Sequence, residues 1–80
     1  METSNISGKA IRNLRKRHGL TQDEIGVQMG YVGNSPHAFI SYVESGKNEF
    51  KREREPELVA AFNRAYRLKY GEDLNLKEID

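Results

Sequence analysis

Helix start and stop signals recur along this chain at short intervals, and they leave room for little besides short helices. Ser7, Thr21 and the pair Ser35-Pro36 are each suited to open a helix, as is Pro56; Gly19, Gly30, Gly46 and Gly71 are each suited to end one. Between these marks, apolar residues recur three and four apart, which is the spacing of one buried helix face. No repeat, low-complexity stretch or strand pattern interrupts them. The expected fold is therefore all-α, a compact domain of four to five helices.

The first helix is expected over about residues 7–18, capped by Ser7. Ile6, Ala10, Ile11 and Leu14 form its inner face, and Arg17 and His18 suit its last turn. The second is expected over about residues 22–29, behind a capping box. In that box the Thr21 hydroxyl accepts from the Glu24 amide and the Glu24 carboxylate reaches back. Ile25 and Met29 point inward. Gly26 lies inside this helix at a cost of about 1 kcal/mol relative to alanine, which predicts that another helix passes very close. Residues 31–34 read as a loop, with Ser35 as the next cap and Pro36 as the first residue of a third helix running to about residue 44. That helix buries Ile40 and Val43, and Phe39 is expected in the core. A charged loop at 47–55 precedes a fourth helix, whose core stripe is Leu58, Ala61, Phe62, Ala65 and Leu68. Residues 75–79 are expected to add one last helical turn. The fourth helix also carries a second apolar stripe, Val59, Tyr66 and Tyr70. Either the tail residues Leu74, Leu76 and Ile79 cover it, or the same face of another subunit does, which makes the stripe a candidate homodimer contact. One domain is expected, with its core at 7–71 and a tail at 72–80.

Composition excludes several classes. Eighty residues make one small domain, and the absence of cysteine excludes disulfides, zinc ribbons and a thiolate nucleophile. Two histidines, His18 and His37, argue against a metal site. No apolar run approaches the roughly 20 residues that span a bilayer. The polar start Met-Glu-Thr-Ser-Asn does not read as a signal peptide, so a cytoplasmic location is expected. No Ser/His/Asp, metal or phosphate-loop pattern is present, and Gly26, Gly30 and Gly33 match no nucleotide fingerprint, so neither catalysis nor a cofactor is expected. The net charge of +1 conceals an uneven spread. Lys9, Arg12, Arg15, Lys16 and Arg17 form one basic cluster. Lys47, Lys51, Arg52 and Arg54 form a second, diluted by Glu49 and Glu53. Such patches fit a polyanionic partner, or simply a solvated helix face.

The order Leu-Thr-Gln-Asp-Glu-Ile-Gly-Val-Gln-Met-Gly over 20–30, followed by Ile-Ser-Tyr-Val-Glu-Ser-Gly-Lys over 40–47, resembles the helix-turn-helix of the phage repressor/Cro (lambda-repressor-like) family. The likeness covers residues 11–46 well and the rest loosely. It implies a lambda-repressor-like fold and a sequence-specific transcriptional regulator: a small Cro-like repressor that binds a double-stranded DNA operator as a homodimer. By the family's pattern, Gln22 contacts the DNA backbone and buttresses the reading helix, while Arg15 and Glu44 form a structural ion pair. His37, Ala38, Ser41 and Tyr42 fall on the base-reading positions. Lys47 and Asn48 inherit phosphate contacts, with Lys51, Arg52 and Arg54 further along the charged loop. For the residues alone, His37 as a merely exposed first-turn side chain and Tyr42 as packing for the fourth helix stay open. Two departures stand out. Gly30 and Ile40 are farther apart than the family's pattern by about four residues, placed in 31–34, where Asn34 is the candidate for an added DNA contact. Gly26 replaces the family's usual alanine. An antitoxin that binds DNA and a toxin is the alternative function, and an interaction module without DNA is a third.

Overall fold

A computed structural model of the chain describes residues 5–31, 33 and 35–79. The Asn34 contact expected from the sequence lies outside the described residues. The order of elements is β1 (Asn5–Ile6), α1 (Gly8–Arg17), α2 (Gln22–Gln28), α3 (His37–Glu44), β2 (Phe50–Lys51), a single 3₁₀ turn (Arg52–Arg54) and α4 (Glu55–Tyr70). The molecule is mostly helical, as its periodicity predicts. Among the described residues no helix is long and apolar enough to cross a membrane.

The helix boundaries follow local chemistry. The Ser7 hydroxyl accepts from the Lys9 and Ala10 amides at the start of α1. At α2 both halves of the capping box form: Glu24 N donates to Thr21 Oγ1 at 3.1 Å, and Thr21 N donates to Glu24 Oε1 at 2.8 Å. Gly71, at φ 74°, ends α4 in the left-handed region that favours glycine. The Ser35 cap does not form. Its side chain makes no cap bond to α3; instead its carbonyl accepts from Ala38 N at 3.1 Å, and the proline-set turn leads into the helix through backbone alone.

Two short strands correct the expectation of a strand-free chain. Asn5 pairs with Lys51 and Ile6 with Phe50, antiparallel. The bridge seats Ile6 and Phe50 side by side in the core, at 3 % and 1 % exposure. A two-residue ladder has too little alternation to register as a sequence pattern.

The core joins Ile11 and Leu14 of α1, Ile25 of α2, Ile40 and Val43 of α3, and Leu58, Ala61, Phe62 and Ala65 of α4. Leu68, expected in that stripe, is 75 % exposed and flanks a groove between α2 and α4 with Val27. Two backbone crossings are tight. A Cβ on Gly26 would run into the Pro36 carbonyl oxygen, and one on Gly8 into that of Val43. The glycine inside α2 is thus where the start of α3 passes.

The last helical turn expected over 75–79 is absent: residues 73–79 have no regular structure. Asn75 sits at φ 58°, which breaks a helix. Side chains of α4 satisfy the tail's backbone instead. Asn63 accepts from Leu76 N at 2.9 Å and donates to Leu76 O at 3.1 Å, and Glu55 accepts from Ile79 N at 2.9 Å. Ile79 thereby becomes a core residue, 2 % exposed, with Leu74 and Leu76 packed beside it. The tail is thus tied to α4 through Asn63 and Glu55. Val59 and Tyr66 are half-buried against the core; Tyr66 meets the His18 ring edge-on at 5.9 Å, and Tyr70 Oη donates to Gly19 O at 2.8 Å. Tyr70 nonetheless keeps 46 % of its surface exposed.

Candidate functional site

The face of interest is built around α3. At about 100° per residue, the side chains of His37, Ser41, Ser45, Ala38 and Tyr42 fall within one arc of roughly 140°. Ile40 and Val43 on the opposite side are buried. In the arc His37, Tyr42 and Ser45 are exposed, with Ala38 and Ser41 half-buried. Tyr42 is 47 % exposed, so it does not pack on α4. None of these five residues belongs to the buried core, so the arc faces outward.

An ion-pair network fixes how α3 sits against α1 and α2. Arg15 Nε donates to Glu44 Oε2 at 2.7 Å, and Arg15 Nη2 donates to Oε1 at 3.0 Å. Arg15 Nη1 also donates to Leu20 O at 3.0 Å. Gln22 Nε2 donates to Glu44 Oε1 at 3.0 Å. The pair is 12 % and 5 % exposed. One carboxylate at the end of α3 thus holds α1 and the start of α2, and Arg15 in turn holds the Leu20 carbonyl, which makes the network a positioning device. Gln22 shares in it.

Beside this network lies a concavity of about 460 Å³, lined by Arg12 and Lys16 of α1, Thr21, Gln22, Ser41 and Ser45, with Arg15 and Glu44 also in its wall. Arg12 and Lys16 are exposed and form no ion pair among the described residues. They are four apart and so share one helix face. In the sequence they belong to a basic cluster with no role assigned to either residue. Their spacing, set against the capped start of α2, was the available signal.

On the other flank, the chain turns sharply after α3. Lys47 N and Asn48 N both donate to Tyr42 O, at 2.9 and 3.2 Å, and Lys47 Nζ stands 5.9 Å from the centre of the Tyr42 ring. Both Lys47 and Asn48 are exposed. Gln22, His37, Ala38, Ser41, Tyr42, Lys47 and Asn48 are thus gathered around α3. Farther on, Lys51 is exposed on β2, while Arg52 turns toward Glu55, with Nη1 3.7 Å from Oε2. Arg54 serves the fold. Its guanidinium lies 5.6 Å from the Phe39 ring centre and 5.1 Å from that of Phe50, and it donates to Glu57 Oε1 at 3.0 Å and Tyr31 Oη at 3.4 Å. Phe39 is half-buried within this cluster, 5.0 Å from the Tyr31 ring.

One contact on the face had no expectation behind it. His37 Nδ1 lies 3.0 Å from Asp23 Oδ1, so the first residue of α3 is tied to the first turn of α2. Among the described residues, no cluster of acidic and histidine side chains is placed to hold a metal ion. Comparison with family models, curated proteins and solved structures finds no match.

Proposed function

We propose that this protein is a sequence-specific regulator that binds double-stranded DNA with α3 in the major groove. In this reading α2 and α3 form a helix-turn-helix of the phage repressor/Cro type, within a lambda-repressor-like fold. The observation that carries the proposal is the division of labour on α3. One side is core, one end is locked by the Arg15–Glu44–Gln22 network, and the arc from His37 to Tyr42 is left outside, flanked by cations. A reading helix needs this combination: rigid placement, short polar and small side chains toward base edges, and donors on either side for phosphates.

The roles divide accordingly. Ser41 bonds to base edges, Ala38 packs on a thymine methyl, and Tyr42 and His37 reach the groove from the ends of the arc. Arg12, Lys16, Gln22, Lys47 and Asn48 hold phosphates and set the register. The protein acts as a small Cro-like repressor, a homodimer on a two-fold operator, in the cytoplasm or on the nucleoid.

Selection of bound sequences from a random double-stranded pool, using the purified protein, tests the proposal. Recovery of a two-fold motif with half-sites about one helical turn apart supports both regulator and dimer; an unrelated pool of sequences contradicts it. On the selected site, Lys47→Ala weakens binding alike on all sequences and lowers the salt slope by about one unit.

A further inference from the structure

The Asp23–His37 contact joins two exposed side chains, 60 % and 48 % accessible, on different helices. An ionised carboxylate has acceptors only, so the proton in this bond belongs to His37 Nδ1. In a neutral imidazole the other nitrogen is then bare, and Nε2 is an acceptor. Nε2 has no hydrogen bond among the described residues. The ring stands at the edge of the outward arc of α3.

Asp23 is also out of place on a face meant for a polyanion. Its position in the first turn of α2 favours a negative charge through the helix dipole, but that does not call for a partner on α3. The bond to His37 gives that exposed charge a partner.

We propose that Asp23 is a positioning residue that sets base specificity through His37. By holding Nδ1–H, it presents Nε2 as an acceptor. His37 then selects a base-edge donor, the exocyclic amine of cytosine or adenine, and rejects the acceptor-only edges of guanine and of thymine O4. The inference rests on the DNA reading above; the state of the ring does not.

Nitrogen-15 NMR of the imidazole at about pH 8, where free imidazole is neutral, reads the ring directly. The parent protein should show His37 with its proton on Nδ1, and Asp23→Asn, whose amide N–H can donate to a bare Nδ1, should move the ring toward the Nε2–H form common in water, with a melting temperature lowered by less than about 8 °C through the lost helix-dipole charge. On the selected DNA site, Asp23→Asn and His37→Ala should relax preference at the same base position, each by about tenfold. A parent ring already in the Nε2–H form overturns the proposal whatever the DNA result. An Nδ1–H ring with unchanged base preference in Asp23→Asn overturns the specificity role alone. An Nδ1–H ring in a protein that selects no DNA sequence overturns the DNA reading, and the specificity role with it, while the bond to Asp23 stands.

Discussion

Arg15 and Glu44 meet through two parallel hydrogen bonds, 2.7 and 3.0 Å long, across 29 positions of chain. The pair is nearly buried, and the guanidinium's third nitrogen donates to the Leu20 carbonyl. With the Gln22 bond and the close crossing at Gly26, this contact fixes how α3 sits against α1 and α2.

Arg15→Ala would leave the nearly buried Glu44 carboxylate with only the Gln22 amide as its hydrogen-bond partner. Stripping one partner from a buried pair typically costs about 3–5 kcal/mol. A domain this size has about 5–15 kcal/mol in total. The variant should melt far below the parent, by more than 10 °C at about 4–8 °C per kcal/mol. A thermal melt matching the parent's would remove the pair from the account of how α3 is placed.

Gly26→Ala sets helix propensity against packing. Propensity favours alanine inside α2 by about 1 kcal/mol. The added Cβ, however, meets the carbonyl oxygen of Pro36, which is backbone and cannot swing aside. Overpacking of this kind costs about 1–3 kcal/mol. The variant should be less stable than the parent in urea unfolding, whereas a gain in stability would mean that α3 crosses elsewhere.

Glu24 links stability to acid. Burial raises its pKa, but the Thr21 amide and the Lys69 ammonium together outweigh that, and the carboxyl is held below its ordinary 4.5. Because the folded value is depressed, the stabilisation is present above the unfolded value and is lost as pH falls from about 4.5 through the lower folded value. Glu24→Gln keeps a side-chain acceptor in the capping box and removes the charge. Its melting temperature should fall less steeply than the parent's below about pH 4.5; parallel curves would contradict the assignment.

The helices were legible because their signals are local or strongly periodic, whereas the Arg15–Glu44 pair, 29 positions apart, was expected only from the family resemblance. Ser7, the Thr21–Glu24 box, Gly26 and Gly71 each state a backbone requirement, and all four are met. What stayed hidden depends on contacts between distant parts. Nothing near Leu76 announces that Asn63 will bind its backbone and displace a helical turn. Arg54 reads as one more loop cation until Phe39 and Phe50 are seen beneath it. At the candidate site, the outward residues of α3 were expected from the family resemblance, whereas the Asp23–His37 contact needed the angle between two helices.

The central claim is that the outward arc of α3 reads DNA bases, and Ser41 lies in its middle. The most direct measurement is the base preference of Ser41→Ala beside that of the parent, on the selected site and its single-base variants, with a melt of both proteins. The account predicts relaxed discrimination at one base position, by about 1–3 kcal/mol, at nearly unchanged melting temperature. A variant with the parent's base preference, or one that unfolds, would contradict it and place Ser41 in the fold instead of the groove.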